Sequence, residues 1–352
     1  MSSPLRPVSN PPNPWLSAHV EWLGEPPVQP LEIFEEEAKS IIASNSSPDV
    51  GFEYSVNPYR GCFHACAYCY ARPRHQLLGF GAGTDFDRKI VVKTNAPRLL
   101  RAELLRRAWK GELIAFSGDT DCYQPLEASY ELTRRCLEVC LEFRQPVSVI
   151  TKGIVVRRDA ALLGALAAQA RAHVTLSIPF ADDASGRRIE PYASTSTQRF
   201  ESLRILSDAG VPTGIAIAPV IPGLNDSDIP ELLERAHARG ARYAFMVMLR
   251  LPDEVRPVFE ERLAAAFPER AAHVTSAIRE VRGGFMNDSR FGHRGRGRGP
   301  RWQAIEQLFE LHCRRLGLNQ DHGAGDGHRA AAPATTFRRP SAQGSLFDGF
   351  DV

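Results

Sequence analysis

The fold of this chain is decided by one short stretch, Asn57-Pro-Tyr-Arg-Gly-Cys-Phe-His-Ala-Cys-Ala-Tyr-Cys-Tyr70. It contains Cys62, Cys66 and Cys69 in the spacing C-x3-C-x2-C, with an aromatic residue, Tyr68, directly before the last cysteine. Cuboidal iron–sulfur clusters are bound by cysteine thiolates, usually one for each iron. Three thiolates from one loop would therefore leave one iron of a four-iron cluster open to another ligand. A metal with an open position can do chemistry, whereas a closed site mainly supports structure.

Two other kinds of metal site are alternatives for this loop. A structural zinc site usually takes its four ligands as two separated pairs, but here the two short spacings share Cys66. A fourth zinc ligand would have to be His64, His75 or the distant Cys122. A bacterial ferredoxin has the run C-x2-C-x2-C-x3-C-P, and 352 residues are far more than an electron carrier needs. The spacing therefore favours an open [4Fe–4S] site over both alternatives.

Composition limits the class of protein but does not identify a partner. The chain has 43 Lys and Arg against 41 Asp and Glu, so its formal net charge is only +2. A hydrophobic content of 43% is enough for a full core, and the length suits one large barrel with extensions or two domains. Residues 1–15 contain five prolines and no apolar segment, so no signal peptide is expected. An oxygen-sensitive cluster and an odd number of cysteines favour the reducing cytoplasm.

From Tyr54 onward, short strand-like runs alternate with helical patterns. The predicted strands are Glu53–Val56, Lys89–Lys93, Leu113–Phe116, Val147–Thr151, Val174–Ile178, Gly214–Ala218 and Ala244–Leu249. The predicted helices between and after them are Pro97–Trp109, Leu126–Phe143, Asp159–Ala170, Ser196–Ala209, Ile229–Ala238 and Trp302–Leu316. This alternation is typical of an α/β fold in which helices cover a parallel sheet. Cys136, Cys140 and Cys313 lie on apolar helix faces and are predicted to pack in the core.

The cysteine loop resembles the motif of the radical S-adenosylmethionine (radical SAM) enzymes, C-x3-C-x-(aromatic)-C. Four residues match it: Cys62, Cys66, Tyr68 and Cys69. The flanking segments 57–61 and 70–72 resemble a narrower group, bacterial proteins described as similar to spore photoproduct lyase or as "DNA repair photolyase". The resemblance extends over about residues 54–316, and it is most specific at the cysteines.

This resemblance implies a fold and a division of the chain. The fold would be a partial (β/α)6 barrel of the TIM type, formed by residues 51–285. Residues 1–50 would be a Pro-rich and acidic N-terminal extension. Residues 286–318 would be a basic loop and a C-terminal helix that pack on the barrel, and residues 319–352 a disordered tail.

The resemblance also implies the cofactors and their chemistry. In this family the amino and carboxylate groups of S-adenosylmethionine chelate the open iron of a [4Fe–4S] cluster. One electron, supplied by a flavodoxin- or ferredoxin-type donor, breaks a carbon–sulfur bond and yields a 5′-deoxyadenosyl radical that abstracts hydrogen from the substrate. The cofactor carries this chemistry, and the protein positions it and excludes water. Tyr68 would lie beside the adenine, although an aromatic that merely packs on the cluster is the alternative.

Candidate residues for holding S-adenosylmethionine follow the predicted strands, since barrels of this kind collect functional groups at the carboxyl ends of their strands. They are Ser117, Gly118, Asp119, Thr120, Lys152, Ser177 and Arg199, with Glu190-Pro-Tyr192 as a later polar contact. The 117–120 segment is expected to hold the methionine amino group, Lys152 the methionine carboxylate, and Ser177 the ribose. Taken singly, Ser177 and Arg199 are better explained as ordinary surface or capping residues.

The substrate is less constrained by the sequence. Spore photoproduct lyase repairs a thymine lesion in DNA with a cysteine as hydrogen donor, at a place where this chain has Ser117 and Gly118. Cys122 follows a few residues later as a candidate donor, but its register differs, and a structural thiol is the alternative. We expect a nucleic acid substrate, DNA first, and the alternatives within the enzyme class are RNA, a peptide or a small molecule. A non-catalytic iron–sulfur scaffold is the alternative from another class.

Two further segments indicate macromolecular partners. A loop between Asn287 and Arg301 contains five arginines among glycines: Arg290, Arg294, Arg296, Arg298 and Arg301. Such a loop can bind phosphates, and the alternatives are a solvated loop or one packed beside the barrel mouth. In the tail, Gln343-Gly-Ser-Leu-Phe347 matches four of five positions of the peptide that docks on bacterial sliding clamps, Q-L-[SD]-L-F, although short motifs also arise by chance.

Overall fold

The computed structural model describes residues 30–320 and 335–340, and this part of the chain forms two sheets covered by helices. The ten strands in chain order are β1 (Glu32–Glu36), β2 (Ile42–Ser44), β3 (Tyr54–Val56), β4 (Tyr59–Arg60), β5 (Lys89–Lys93), β6 (Ile114–Phe116), β7 (Val147–Thr151), β8 (Ala172–Ser177), β9 (Thr213–Val220) and β10 (Ala241–Met248). The main sheet has seven strands in the order β10-β9-β8-β7-β6-β3-β2. Six neighbours, β3 and β6 to β10, run parallel, and β2 is antiparallel to β3. The predicted α/β fold with six parallel strands is confirmed.

Helices follow the strands as a parallel sheet requires. In the described residues they are α1 (Thr84–Arg88), α2 (Ala96–Leu105), α3 (Glu127–Tyr130), α4 (Leu132–Glu142), α5 (Ala160–Ala170), α6 (Asp183–Ile189), α7 (Ser196–Asp208), α8 (Ile229–His237), α9 (Val255–Ala266), α10 (Ala271–Val281) and α11 (Gly299–Leu316). Cys136 and Cys140 on α4 and Cys313 on α11 are buried in the core, as predicted. In the described part of the chain, no helix is both long and apolar enough to cross a membrane.

The predicted helix over residues 126–143 is interrupted. It forms α3 and α4 instead, with Glu131 between them at a φ of 51°. The fully buried carboxylate of Glu127 accepts hydrogen bonds from the backbone N–H groups of Thr133 (2.9 Å) and Arg134 (3.1 Å). Glu127 thereby satisfies donors of the first turn of α4, which need a partner at any helix start. This tertiary contact is not visible in the local sequence pattern.

Part of the acidic N-terminal extension joins a second sheet. β1 pairs in parallel with β5, and β4 pairs with β5 in antiparallel register. The side chain of Asn95 fixes the extension further along, since it donates to Ala38 O (2.9 Å) and accepts from Ala38 N (3.0 Å). β4 of this small sheet directly precedes the cysteine loop in the sequence and gives that loop a fixed base.

A loop over residues 287–298 forms hydrogen bonds both with the last strand of the main sheet, β10, and with the segment before β3. Gly295 O accepts a hydrogen bond from Met248 N at the end of β10 (2.9 Å), and Gly292 N donates to Asp49 Oδ1 (2.6 Å). The guanidinium of Arg282, only 1% exposed, donates to the carbonyls of four residues: Leu249, His293, Arg294 and Arg296. The loop is therefore held in place by hydrogen bonds from a buried guanidinium to its carbonyl groups.

A short piece of the tail also departs from its prediction. Residues 335–340 bind the barrel, although the sequence predicts disorder from residue 319 on. Thr335 Oγ1 donates to Gly111 O (2.7 Å), Arg338 N donates to Phe143 O (2.8 Å), and the Phe337 ring stacks on Phe143 with centroids 6.2 Å apart. An apolar anchor and paired backbone groups explain why this piece is ordered. The clamp-like peptide at 343–347 lies outside the described residues.

Candidate active site

The three cysteines lie on a tight loop directly after β4. Gly61 begins it with a φ of 78°, and a Cβ there would come within 3.0 Å of Ile90 Cδ1 and of the carbonyl oxygens of Lys89 and Phe86. Only glycine combines that backbone conformation with so close an approach. Two short turns follow, in which Ala65 N donates to Cys62 O and Cys69 N donates to Cys66 O, both at 3.2 Å. These turns make the loop that carries the three thiols compact.

A buried arginine, Arg72, holds the cysteine loop in place through hydrogen bonds. Arg72 is fully buried and donates from Nε and from one terminal nitrogen to Cys66 O, at 3.1 and 2.9 Å. Its guanidinium also donates to the carbonyls of Ala82 (3.0 Å) and Gly83 (2.9 Å) and pairs with Asp87 at 2.8 Å. Burial raises the pKa of Asp87 to about 6, although the Arg72 charge opposes that shift. The planar fork of arginine suits this set of acceptors, and lysine could not satisfy them all.

The thiols have the properties expected of cluster ligands. All three are free, and Cys62 and Cys66 are buried, whereas Cys69 is partly exposed. Burial raises the pKa of each thiol, so without a metal the three thiols are neutral. In the described residues no three His, Cys, Asp or Glu side chains converge on a position for one metal ion. A cuboidal cluster does not need such convergence, because each thiolate binds a different iron.

The thiols are also close enough to one another to act as a set. Each of the other two cysteines contributes to the raised pKa of Cys62, and Cys69 contributes to that of Cys66. The residues present therefore fit a [4Fe–4S] cluster with three protein ligands. The Cys122 thiol is fully buried in the core, with Ser117 and Asp121 among its neighbours.

A polar network adjoins Cys66 and centres on Glu190, which is 1% exposed. One oxygen of Glu190 accepts a hydrogen bond from the Tyr68 hydroxyl, and the other pairs with the guanidinium of Arg199. Lys152 Nζ lies 4.0 Å from Glu190 Oε1 and donates to Ser177 Oγ at 2.9 Å. Burial raises the pKa of Glu190, while Arg199 opposes the shift. The network thus brings two cations and one carboxylate together beside the thiol loop.

A second carboxylate, Asp121, connects the loop after β6 to the end of β7. Its Oδ1 accepts from Thr151 Oγ1 at 2.6 Å and its Oδ2 from Lys152 N at 2.7 Å, while His64 Nδ1 lies 3.3 Å from Oδ2. Burial alone would raise the pKa of Asp121, but His64 and these hydrogen bonds together hold it below its usual range. Asp121 therefore stays ionised and fixes the backbone that carries the Lys152 ammonium.

The segment after β6, residues 117–120, is held beside the cysteine loop by contacts with β3, with β4 and with Asn57 between them. Asn57 Oδ1 accepts from Asp119 N at 2.9 Å, and Thr120 Oγ1 donates to Tyr59 O at 2.8 Å. Ser117, at a φ of 73°, accepts a hydrogen bond from Cys122 N through its hydroxyl. A Cβ at residue 118 would come within 2.8 Å of Ser55 Cβ, so Gly118 allows the close approach of this segment to β3. These contacts hold the segment next to the thiols.

The structure divides the predicted cofactor residues into two groups. Tyr68, Lys152, Ser177 and Arg199 converge on the Glu190 network, whereas the 117–120 segment packs against the cysteine loop, and Asp119 pairs there with Arg74 at 3.1 Å. From the sequence, Glu190 is expected only as a later contact, His64 only as a possible zinc ligand, and Asp121 has no separate role. The signals available for the last two were a histidine within the cysteine loop and an acidic residue in the polar segment that follows a predicted strand.

Cys122, the candidate hydrogen donor, is fully buried in the core. Its carbonyl accepts from Thr133 Oγ1 on α4 at 2.6 Å, and its thiol lies beside Ser117 and contributes, together with Cys136, to the raised pKa of Tyr59. Burial raises the pKa of this thiol well above its usual value. This position on the helix side of the sheet fits the structural alternative given above.

The five arginines of the basic loop all have carboxylate partners. Arg290 and Arg298 pair with Asp288, Arg296 with Glu306, Arg301 with Glu280, and Arg294 with Asp49. Of these partners only Asp288 lies within residues 287–301, and the others come from other segments of the chain. Of the alternatives, a loop packed beside the barrel mouth agrees with the structure.

Comparison with known proteins agrees with this site. A family model described as the radical SAM superfamily matches residues 56–236. A protein of Mycobacterium tuberculosis without an assigned activity is 37% identical over 300 residues, which cover 84% of this chain and 82% of that protein. A "Radical SAM Nalpha-GlyT isomerase" of Pseudomonas phage M6 is 24% identical over 265 residues, or 74% of this chain and 53% of the isomerase.

Among solved structures, spore photoproduct lyase in complex with dinucleoside spore photoproduct superimposes with a TM-score of 0.57. The match covers 81% of this chain and 80% of the lyase at 15% identity, so it supports the fold. The family model covers half of the chain, and it includes the three cysteines and the strand ends described above. This chain therefore belongs to the radical SAM superfamily, whose members bind a [4Fe–4S] cluster and S-adenosylmethionine.

Proposed function

We propose that this protein cleaves S-adenosylmethionine reductively and uses the resulting radical to modify a nucleic acid. The observation that carries the first half is the loop of three free, adjacent thiols beside a network of buried charges. When bound, the cluster and S-adenosylmethionine supply a 5′-deoxyadenosyl radical. The residues of the chain bind, orient and shield these groups.

The thiols of Cys62, Cys66 and Cys69 would hold three irons, and Arg72 would keep the Cys66 backbone in place through two hydrogen bonds. The Lys152 ammonium, 16% exposed, would pair with the carboxylate of S-adenosylmethionine. Lysine serves here as a compact point charge, and Asp121 fixes its backbone. Polar groups of the 117–120 segment would accept the methionine amino group.

Glu190 would give this pocket its shape. It fixes the Tyr68 ring through the hydroxyl, and it compensates the charge of Arg199, which also donates to Ser177 O at 2.8 Å. The Tyr68 ring is thereby held beside Lys152, whose Nζ lies 5.7 Å from the ring centroid. A preorganised aromatic and a preorganised cation lose little entropy when a charged ligand with an adenine ring binds.

Nucleic acid is the proposed substrate class because the rim at the end of β10 combines basic and aromatic side chains. Phe285 and Phe291 are 70% and 60% exposed, and Arg290, Arg296 and Arg298 are exposed beside them. Their ion pairs with carboxylates lie at the surface, where such pairs contribute about 0–1 kcal/mol, so phosphates can compete for the arginines. Exposed aromatics offer stacking faces for bases. The lyase of similar fold, which was solved with a dinucleoside lesion, is consistent with this proposal.

The test is an anaerobic reaction of cluster-loaded protein with reductant, S-adenosylmethionine and oligonucleotides, both intact and UV-irradiated. The proposal predicts that an oligonucleotide raises the yield of 5′-deoxyadenosine and gains or loses a defined mass. Peptide and small-molecule mixtures serve as matched arms. Stimulation by one of those arms and not by any oligonucleotide would contradict the nucleic-acid assignment while leaving the radical chemistry intact.

The tail would assist this function by recruitment. We include in the proposal that Gln343–Phe347 docks on a bacterial sliding clamp, since a Leu-Phe pair suits an apolar pocket on a partner. A peptide of residues 338–352 should bind purified clamp, and a variant with Leu346 and Phe347 replaced by alanine should not. If the native peptide does not bind the clamp while a known clamp peptide does, the proposed recruitment by the tail is wrong.

A further inference from the structure

One arginine at the mouth of the barrel lacks the partner that its neighbours have. Arg250 follows β10 at the carboxyl end of the sheet and is partly buried. Within the part of the chain that the structure describes, its guanidinium makes neither a hydrogen bond nor an ion pair, and its close contact is the Tyr70 ring, 5.5 Å from the guanidinium carbon to the centroid. Buried charges are normally paired, so this arrangement needs a functional explanation.

The charges around Arg250 make its position more unusual. Burial lowers the pKa of Arg250, and the neighbouring Arg294 and Arg74 lower it further, whereas Tyr70 and Asp49 oppose the shift. Arg74 pairs with Asp119, and Arg294 pairs with Asp49. Three guanidinium groups therefore face two carboxylates at this point, and the uncompensated charge is that of Arg250. An unpaired cation next to two others weakens folding, which is a cost that binding sites commonly carry.

The surroundings also fix what kind of ligand could approach. Tyr70 follows the cluster ligand Cys69 directly, its ring is 43% exposed, and its hydroxyl donates to Gly118 O at 2.9 Å. The ring is thereby held still at the mouth, with the Arg250 charge beside it. A rigid exposed aromatic next to an unpaired guanidinium suits a base and its adjoining phosphate.

We propose that Arg250 binds a phosphodiester of the nucleic acid substrate, next to a base that stacks on Tyr70. This inference rests on the proposed function and identifies the residue that sets the position of the strand relative to the cluster loop. Arg250 is a positioning residue, since it lies at the mouth and contacts the substrate backbone.

The test measures binding of a short fluorescein-labelled single-stranded oligonucleotide to cluster-loaded protein under anaerobic conditions, by fluorescence anisotropy over a range of NaCl concentrations. Arg250→Gln is compared with Arg204→Gln, which removes the same charge from an exposed arginine that pairs with Glu201 and Asp208 on α7. Loss of one charged hydrogen-bonded contact should weaken binding by about tenfold or more. It should also lower the slope of log affinity against log salt by about 0.7.

Thermal unfolding separates binding from a structural role. Arg250→Gln should melt no lower than the wild type, since in the described residues the guanidinium that it removes makes no hydrogen bond or ion pair and only a ring contact with Tyr70. Weaker binding with an unchanged salt slope or with a lowered melting temperature would overturn the inference, and so would wild-type affinity in Arg250→Gln. If the wild-type protein binds no oligonucleotide at all, the proposed nucleic-acid function fails and this inference fails with it.

Discussion

Replacement of Arg72 by glutamine should destabilise the fold and abolish cluster loading together. Arg72 is fully buried and makes five hydrogen bonds, to the carbonyls of Cys66, Ala82 and Gly83 and to the carboxylate of Asp87. Removing one partner of a buried ion pair typically destabilises a protein by about 3–5 kcal/mol. Because two of the five bonds fix the Cys66 backbone, the same variant should lose the loop geometry that iron binding requires.

The pH dependence of this effect follows from Asp87. Its pKa in the folded protein is about 6, above the ordinary value of 3.8, and Arg72 is what limits that rise. In Arg72→Gln the folded-state pKa of Asp87 should move higher still. Since the unfolded chain binds this proton only weakly, the free energy of unfolding of the variant should fall as pH rises through the folded-state pKa.

The assay is urea unfolding of the metal-free, reduced protein together with iron content after reconstitution. Arg101→Gln is the matched control, since it breaks an exposed pair with Glu142 and should cost no more than about 1 kcal/mol. Relative to Arg72→Gln, the double variant Arg72→Gln, Asp87→Asn should have a higher free energy of unfolding. Its iron content after reconstitution should stay as low. An Arg72→Gln protein with near wild-type stability and full iron content would refute the reasoning.

Three further perturbations test other parts of the site. Glu190→Gln removes the buried charge that faces Arg199, so it should lower the free energy of unfolding by about 3 kcal/mol and weaken S-adenosylmethionine binding in calorimetry; unchanged values for both would contradict the network. Burial lowers the pKa of His75 to about 4 from its usual 6.5, so stability present above pH 6.5 should be lost as pH falls toward 4. In urea titrations His75→Leu should flatten that dependence, and an unaltered slope would exclude His75 as its source. Cys122→Ala should retain both cofactor cleavage and oligonucleotide modification; loss of modification alone, with stability intact, would identify Cys122 as the hydrogen donor after all.

Much of the fold could be predicted because its signals are local. The strands are short β-branched runs, and Val147–Thr151 and Lys89–Lys93 were predicted with the bounds that the structure has. The cysteine spacing depends only on eight consecutive residues. The break between α3 and α4 could not be predicted in this way, because it depends on the side chain of Glu127 folding back to the next helix.

The candidate site was predictable only as a set of positions at strand ends. Tyr68 and Glu190 are 122 residues apart, so their contact depends on the tertiary fold and not on any local pattern. Arg294 and Ser47 are 247 residues apart, and the neighbouring Asp49 neutralises an arginine that looks free in the sequence. Arg72 served only as a flanking signature, since nothing in the sequence indicates that its guanidinium is buried. The site is formed by contacts between polar residues that are far apart in the sequence.

The most direct test of the central claim is the yield of 5′-deoxyadenosine from anaerobically reconstituted, reduced protein with S-adenosylmethionine and oligonucleotide. The account predicts product from the wild type and none from Cys66→Ala, which lacks the middle thiol of the loop. A wild-type protein that carries a full [4Fe–4S] cluster and binds oligonucleotide, yet forms no 5′-deoxyadenosine, would contradict the assignment of this site to radical chemistry.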